Sequence, residues 1–185
     1  MNKLFMLSLV ILFMALGGTP GFAKESTMRL EARGGFGLPT FDIADAAEIG
    51  PGGGVGFWFS PVNARWTLGV EGDIGMHSGA DNGPDVNVYH LMGKAGYLVY
   101  AGSDNKMQLV LNAGAGMVMF DVDAPGADME SYPAINAGGK IYYALSPSID
   151  FVVSLQGDIS FTDKDVLGTD NSWVWPLGVG LAFKF

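Results

Sequence analysis

Apolar and polar residues alternate along most of the chain with a period of two. The last eleven residues, WPLGVGLAFKF, place an apolar side chain at every second position from Trp175 to Phe185. Successive side chains of a β-strand point to opposite faces, so this spacing predicts a strand with one apolar face. Seven earlier segments repeat it, beginning near residues 28, 54, 66, 89, 107, 135 and 149. The sequence therefore predicts an all-β protein of eight strands.

The connections between these segments alternate in length. Those after the second, fourth and sixth segments are short, whereas long ones run approximately through residues 38–53, 77–85, 121–131 and 162–172. Twelve of the 19 acidic residues lie in these long connections. Short turns at one end and long loops at the other are typical of outer-membrane barrels, whose long loops face outside. We therefore expect a barrel with four acidic extracellular loops.

The charges of the predicted strands lie on one face. The apolar face has no Lys, Arg, Asp or Glu, while the other face is rich in glycine and has few charges, of both signs. A soluble sandwich or lipocalin-like barrel, the alternative architecture, would turn a highly charged face to water. We expect instead that the apolar face meets lipid and that the charges form a network inside the lumen. The expected network comprises Arg29, Glu31, Arg33, Glu71, Asp73, Lys94, Lys140 and Asp158.

The first 23 residues have a different pattern from the rest of the chain. Lys3 precedes an apolar run from residue 4 to 16, and small residues lead to Ala23. This order is typical of a secretory signal, and the run is shorter than the roughly 20 residues of a membrane-spanning helix. We expect residues 1–23 to be a signal peptide cleaved after Ala23, and residues 24–185 to be the barrel domain.

The composition of the chain argues against several classes of partner and site. Loss of Lys3 with the signal leaves 9 of the 10 basic side chains against 19 acidic ones, which argues against nucleic acid as a partner. The chain has no cysteine, so disulfides and thiolate metal sites are excluded. The carboxylates of the acidic stretch DVDAPGADME are candidate calcium ligands, but the stretch lacks the ligand spacing and central glycine of an EF-hand loop. We expect no cofactor and no metal site.

One group of residues raises the alternative of an enzyme. Some small outer-membrane barrels modify lipid A with a histidine, a serine and an acidic residue, for which His77, Ser78 and Asp73 are the candidates here. Adjacent strand residues point to opposite faces, so His77 and Ser78 are poorly placed to pair. The other histidine, His90, lies on the inward face without a serine nearby in sequence. We therefore expect no catalytic residues.

Two stretches of the sequence resemble those of known barrels. GVGLAFKF resembles the C-terminal assembly signal of bacterial outer-membrane proteins, with Gly180, Phe183 and Phe185 matching and Gly178 standing where a polar residue is usual. NAGGKIYYALSPSIDFVVSLQGDISF resembles a hairpin of the small OmpA-like and OmpX-like barrel domains. This resemblance implies an eight-stranded antiparallel up-and-down transmembrane β-barrel in the bacterial outer membrane, inserted by the barrel assembly machinery.

The expected function follows from this architecture. Side chains fill the interior of an eight-stranded barrel, so a largely plugged lumen is expected. The role we expect is structural or interactive, with lipid and lipopolysaccharide around the barrel and an extracellular partner at the loops. The alternatives are a narrow channel for a small solute and a lipid A-modifying enzyme.

Overall fold

The computed structural model describes residues 27–61, 64–102, 106–164 and 169–185. Residues 1–23, predicted to be a signal peptide, and the cleavage point after Ala23 lie outside these ranges. Among the described residues, no helix has the length and apolar character needed to cross a membrane.

Eight strands form a closed barrel in which neighbours in sequence are neighbours in space. Every pair of adjacent strands is antiparallel, including the first and the last. This confirms the eight strands predicted from the period of two and the antiparallel up-and-down barrel that the resemblance implies. The strands are β1 (Thr27–Thr40), β2 (Gly50–Ser60), β3 (Trp66–His77), β4 (Val86–Ala101), β5 (Met107–Val122), β6 (Glu130–Ser146), β7 (Ile149–Ser160) and β8 (Ser172–Lys184). Two short 3₁₀ segments, Phe41–Asp45 and Ala80–Asn82, lie in the connections.

The C-terminal residue takes part in closing the barrel. Strand β8 pairs with β1 from Lys184 opposite Arg29 to Trp173 opposite Thr40. Beyond this ladder the backbone N–H of Phe185 donates to the carbonyl of Met28 at 3.0 Å, and the N–H of Met28 donates back at 3.3 Å. Backbone groups at this seam are therefore paired, and the sheet has no open edge.

The first long connection is shorter than the sequence indicates. The predicted loop of residues 38–53 is reduced to residues 41–49, because β1 continues to Thr40 and β2 begins at Gly50. Pro39 and the run Gly50–Gly54 disfavour a strand locally. Pairing with neighbouring strands overrides this preference, since Pro39 lies opposite Val174 of β8 and residues 50–54 lie opposite residues 33–37 of β1.

Burial is inverted relative to a water-soluble protein. Large apolar side chains on the outer face are about half exposed, as at Leu68 (50%) and Val70 (55%), whereas Glu31 and Lys140 inside are fully buried at 0%. The interior also holds two apolar clusters. One lies toward the long loops and the other toward the short turns, where Leu98 packs against it. Their buried members are Val88, Met92, Val118, Phe120, Tyr132 and Ala134 in the first, and Val110, Tyr142, Val152 and Ala182 in the second.

Candidate functional site

The candidate functional site is a polar network inside the barrel, and Glu71 lies at its centre. Alternation along β3 turns this residue inward, where only 1% of its surface is exposed. Its two carboxylate oxygens accept hydrogen bonds from five side chains of five different strands. The donors are Arg33 at 3.2 Å, Trp58 at 3.0 Å and Lys140 to Oε1, and Lys94 at 2.6 Å and Gln156 at 3.2 Å to Oε2.

Lys140 joins this carboxylate to a second one. Its ammonium group contacts Glu71 and lies 2.5 Å from Oε2 of Glu31. The other oxygen of Glu31 accepts a hydrogen bond from the hydroxyl of Tyr142 at 2.6 Å. The same ammonium lies 4.5 Å from the ring centroid of Trp58, within the range of a cation–π contact. Each partner of this buried lysine is therefore an anion or an aromatic face.

Arg33 joins the centre to a third carboxylate. Its Nη2 donates to both oxygens of Asp73, at 2.9 and 3.1 Å. Its Nη1 donates to Glu71 and, at 3.1 Å, to the hydroxyl of Ser154. The amide of Gln156 completes the group, because it donates to Ser154 at 2.6 Å and accepts from Lys94 at 2.6 Å.

The central cluster is electrically balanced. Three cations (Arg33, Lys94 and Lys140) face three anions (Glu31, Glu71 and Asp73). Burying an ion is costly unless it is paired and hydrogen-bonded, and here each ion has at least one partner of opposite sign. Lys94 and Glu71 join the neighbouring strands β4 and β3, whereas the pairs among β1, β3 and β6 link strands that share no backbone hydrogen bonds.

Two of the sequence-predicted network residues lie outside this cluster. Arg29 is near the short turns, where its Nη2 donates to Gln108 at 2.7 Å and its Nε is 3.6 Å from Asp150. Lys184 donates to the same aspartate at 2.7 Å. Asp150, absent from the predicted set, is therefore the anion of this second group. Its inward position on β7 was the only signal in the sequence.

Asp158 belongs to a third group, toward the long loops. Its Oδ2 lies 2.6 Å from Nδ1 of His90, although the orientation falls short of a hydrogen bond. Its Oδ1 accepts from the side-chain amide of Asn136. The sequence placed His90 on the inward face but gave it no partner.

Glycines on β2 make room for the carboxylates of β3. Gly54 is paired with Asp73, and Gly56 with Glu71. A methyl group on Gly54 would collide with Oδ1 of Asp73 and lie 2.7 Å from the carbonyl oxygen of Gly72. Both residues of β2 opposite the inward carboxylates of β3 are therefore glycines, and at Gly54 a side chain does not fit without a shift of its neighbours.

The three residues considered for catalysis are not assembled. Nδ1 of His77 lies 2.8 Å from the backbone carbonyl of Glu48, and Asp73 is held by Arg33. Ser78 is exposed, and its carbonyl accepts from the N–H of Glu48 at 2.9 Å. In the described part of the chain, no hydrogen bond joins His77 to Ser78 or Asp73. Nor do three or more His, Asp or Glu side chains converge there as a metal site.

Comparison with known proteins identifies the fold. No protein-family profile matches the chain, and no curated protein matches it in sequence. Among solved structures, Neisserial surface protein A aligns with a TM-score of 0.62 and 15% identity over 86% of this chain and 97% of its own. The chain has the fold of the small outer-membrane β-barrels. A major outer membrane protein from Thermus thermophilus aligns with a TM-score of 0.63 and 14% identity, covering 86% of this chain and 99% of its own. The outer membrane protein OprG from Pseudomonas aeruginosa gives 0.53 and 13%, over 87% and 96% of the two chains.

The role of Glu71 gives a first testable prediction. Replacing it in Glu71→Gln leaves three buried cations with two anions, and breaking a buried ion pair costs about 3–5 kcal/mol. We expect a loss of that size in the free energy of unfolding, measured by urea titration in lipid vesicles. Asp45→Asn, in an exposed loop, is the control and should stay within about 0.5 kcal/mol of wild type. Equal stability of Glu71→Gln and wild type would contradict a central role for this carboxylate.

The glycine walls give a second prediction, with two substitutions that add the same methyl group. Gly54→Ala crowds Asp73 and the backbone of β3, and overpacking costs typically about 1–3 kcal/mol. Gly34→Ala adds its methyl to open space, where nothing lies within 4 Å. We expect the first variant to unfold at lower urea concentration and the second to match wild type. Identical midpoints for the two would show that the β2 wall is not tightly packed.

Proposed function

We propose that this chain is an integral protein of the bacterial outer membrane with a structural or surface-interaction role carried by its long loops. The observation that supports it best is the outer surface of the barrel. Apolar side chains at mid-height, one on each of several strands, are half exposed: Val70 (55%), Leu91 (52%), Leu111 (51%), Leu155 (54%) and Val179 (51%). Soluble monomers rarely expose apolar patches larger than a few hundred Å². A lipid bilayer is the environment in which such a surface is stable.

Aromatic side chains near both ends of the barrel also support a lipid bilayer as its environment. Phe36 and Phe161 are exposed toward the long loops. Trp66, Tyr97 and Phe185 are exposed toward the short turns. Aromatic residues are enriched at the two headgroup levels of spanning barrels. The distance between the two groups then corresponds to the apolar band that crosses the membrane.

The interior supports a closed lumen rather than an open channel. The central cluster extends across the barrel, and apolar clusters lie on both sides of it. An ion crossing this interior would have to separate buried ion pairs, which is costly in a medium of low dielectric constant. We propose that the barrel serves as a rigid support and that the network stabilises it.

Function on this support lies in the four long loops. We propose that they face outside and that their acidic residues contact an extracellular partner or, through divalent ions, lipopolysaccharide. Features of the C-terminal strand support our proposal that the barrel assembly machinery inserts this chain. Phe183 and Phe185 are exposed on its outer face, and inward-facing Gly180 packs so closely on the backbone of Ala32 that no side chain would fit.

Heat modifiability tests this proposal. The mature chain, residues 24–185, is refolded in detergent and run on a gel with and without boiling, alongside circular dichroism. A compact band that shifts on boiling, with a strand-dominated spectrum, is the expected result. A fold that forms in water without detergent would overturn the membrane assignment. Steady conductance in a planar bilayer would contradict the closed lumen and favour the channel alternative.

A charge placed on the outer face gives a third prediction. An arginine facing lipid costs about 2–4 kcal/mol at the bilayer midplane and about 0–1 near the interface. Val70→Arg, at mid-height, is therefore expected to lose that much unfolding free energy in vesicles. Met28→Arg, at the rim of the same face, should lose little. If both variants were as stable as wild type, the outer face would be in contact with water.

A further inference from the structure

A small cavity lies inside the barrel between the central cluster and the long loops. Its walls are largely backbone, since Gly35, Gly37, Gly52 and Gly75 line it. Its volume is about 20 Å³, which is room for one or two waters. Both histidines of the chain line it, together with Arg33, Asp73 and Ser154.

The bond of His77 to the backbone fixes which of its nitrogens carries the proton. Nδ1 lies 2.8 Å from the carbonyl oxygen of Glu48, and a carbonyl can only accept. The proton of the neutral ring is therefore on Nδ1, and Nε2 has a lone pair that can accept a hydrogen bond. His77 is 2% exposed, and Nε2 has no hydrogen-bond partner within the described residues.

His90 lies beside the same cavity, but its Nδ1 faces a carboxylate and the contact is not a hydrogen bond. Its Nδ1 lies 2.6 Å from a carboxylate oxygen of Asp158, which favours the proton on that nitrogen. Nε2 is again a lone pair, buried and without a hydrogen-bond partner in the described ranges. Two buried acceptors thus line one cavity, and a buried polar group without a partner is costly.

The charges around the cavity decide what can satisfy these two acceptors. Arg33 lines the cavity, and the negative charge of Asp73 is already paired with it. A metal cation would add charge to a balanced cluster beside a guanidinium group, whereas a water is neutral and donates two hydrogen bonds. The cavity meets the requirements of a buried water, which needs this volume and two to four polar partners.

We propose that a water bound in this cavity donates to Nε2 of both His77 and His90, and that this site makes the docking of residues 41–49 sensitive to acid. That loop connects β1 to β2 at the long-loop end of the barrel, with Ile43 and Ala47 buried. It is attached to the following loop by the N–H of Glu48 and by the N–H of Ala80, which donates to the carbonyl of Ala46 at 3.1 Å. His77 hydrogen-bonds this loop through the backbone carbonyl of Glu48.

A proton on Nε2 of His77 reverses the role of that nitrogen. The atom becomes a donor, and the ring becomes a buried cation. The charged and titratable residues around it are Arg33 from β1, Glu48 from the loop itself, Asp73 from β3, His90 from β4 and, beyond His90, Asp158 from β7. Asp73 is already paired with Arg33, Asp158 lies beyond His90, and Glu48 is exposed, so among the described residues no carboxylate forms an ion pair with His77 that would offset the new charge. Opening of the loop relieves the cost, because it lets water reach the ring.

Nuclear magnetic resonance of the mature barrel in micelles tests this inference. The chain has only two histidines, so long-range ¹⁵N–¹H spectra report each ring. At neutral pH we expect both rings with the proton on Nδ1, and a long-lived water signal at their ring protons. As pH falls, the amide peaks of residues 46–49 should lose at least half their intensity at the midpoint where His77 becomes charged.

Two pairs of variants separate the site from general acid effects. His77→Gln can still donate to the carbonyl of Glu48 but has no titrating group, so its loop amides should not respond to pH. Gly37→Ala places a methyl 2.6 Å from Cε1 of His77 and should release the loop already at neutral pH, while Gly34→Ala should behave as wild type. His90→Gln should keep the response with a shifted midpoint.

Three results would overturn the inference. The first is a proton on Nε2 of His77 at neutral pH. The second is a loop whose amides stay unchanged while His77 titrates. The third is an unaltered acid response in His77→Gln. None of these readouts depends on the role of the loops in the envelope, so failure here leaves the proposed function standing.

Discussion

The buried carboxylate of Glu71 is the constraint on which the rest of the interior depends. A carboxylate with 1% exposure is stable only when donors surround it, and five side chains from five strands do so. No single hairpin can provide them, because neighbours on one sheet face are too few and point the same way. The network therefore requires the sheet to close on itself, and closure in turn removes the last open edge at the contact of β1 with β8.

The same constraint fixes the register of the strands. Each inward carboxylate of β3 faces a glycine on β2, so Asp73 fits opposite Gly54 and Glu71 opposite Gly56. A slip of one residue would turn the charges to the outer face and the apolar side chains inward. Both faces oppose such a slip, since the outer face is apolar on every strand and the inner one has matched charges. The apolar exterior and the charged interior together therefore specify a single register of the strands.

Much of the fold could be predicted from the sequence because a period of two is a local signal. It gives the number of strands, their faces and the inward position of residues such as Arg33 and Lys140. The partners could not be predicted, since they depend on how far strands that are not neighbours are offset around the barrel. Asp150 and His90 were on the correct face, yet nothing in the sequence paired them with Arg29 and Asp158. The first loop was predicted too long because Pro39 and the glycines of residues 50–54 disfavour a strand locally, whereas pairing with β8 keeps Pro39 in a strand and pairing with β1 keeps the glycines in one.

The polar interior is not uniform along the barrel axis, and this difference locates where the molecule can change. In the central cluster, the charges of Lys140 and Arg33 are paired with that of Glu71, and disturbing any of them leaves a buried ion unpaired. Toward the long loops, His77 and His90 each have a ring nitrogen, Nε2, that no described side chain satisfies. A rigid, balanced centre resists change in its surroundings, while an acceptor next to a small cavity responds to a single proton. We therefore expect the structure at the long-loop end of the barrel, rather than at its centre, to depend on pH.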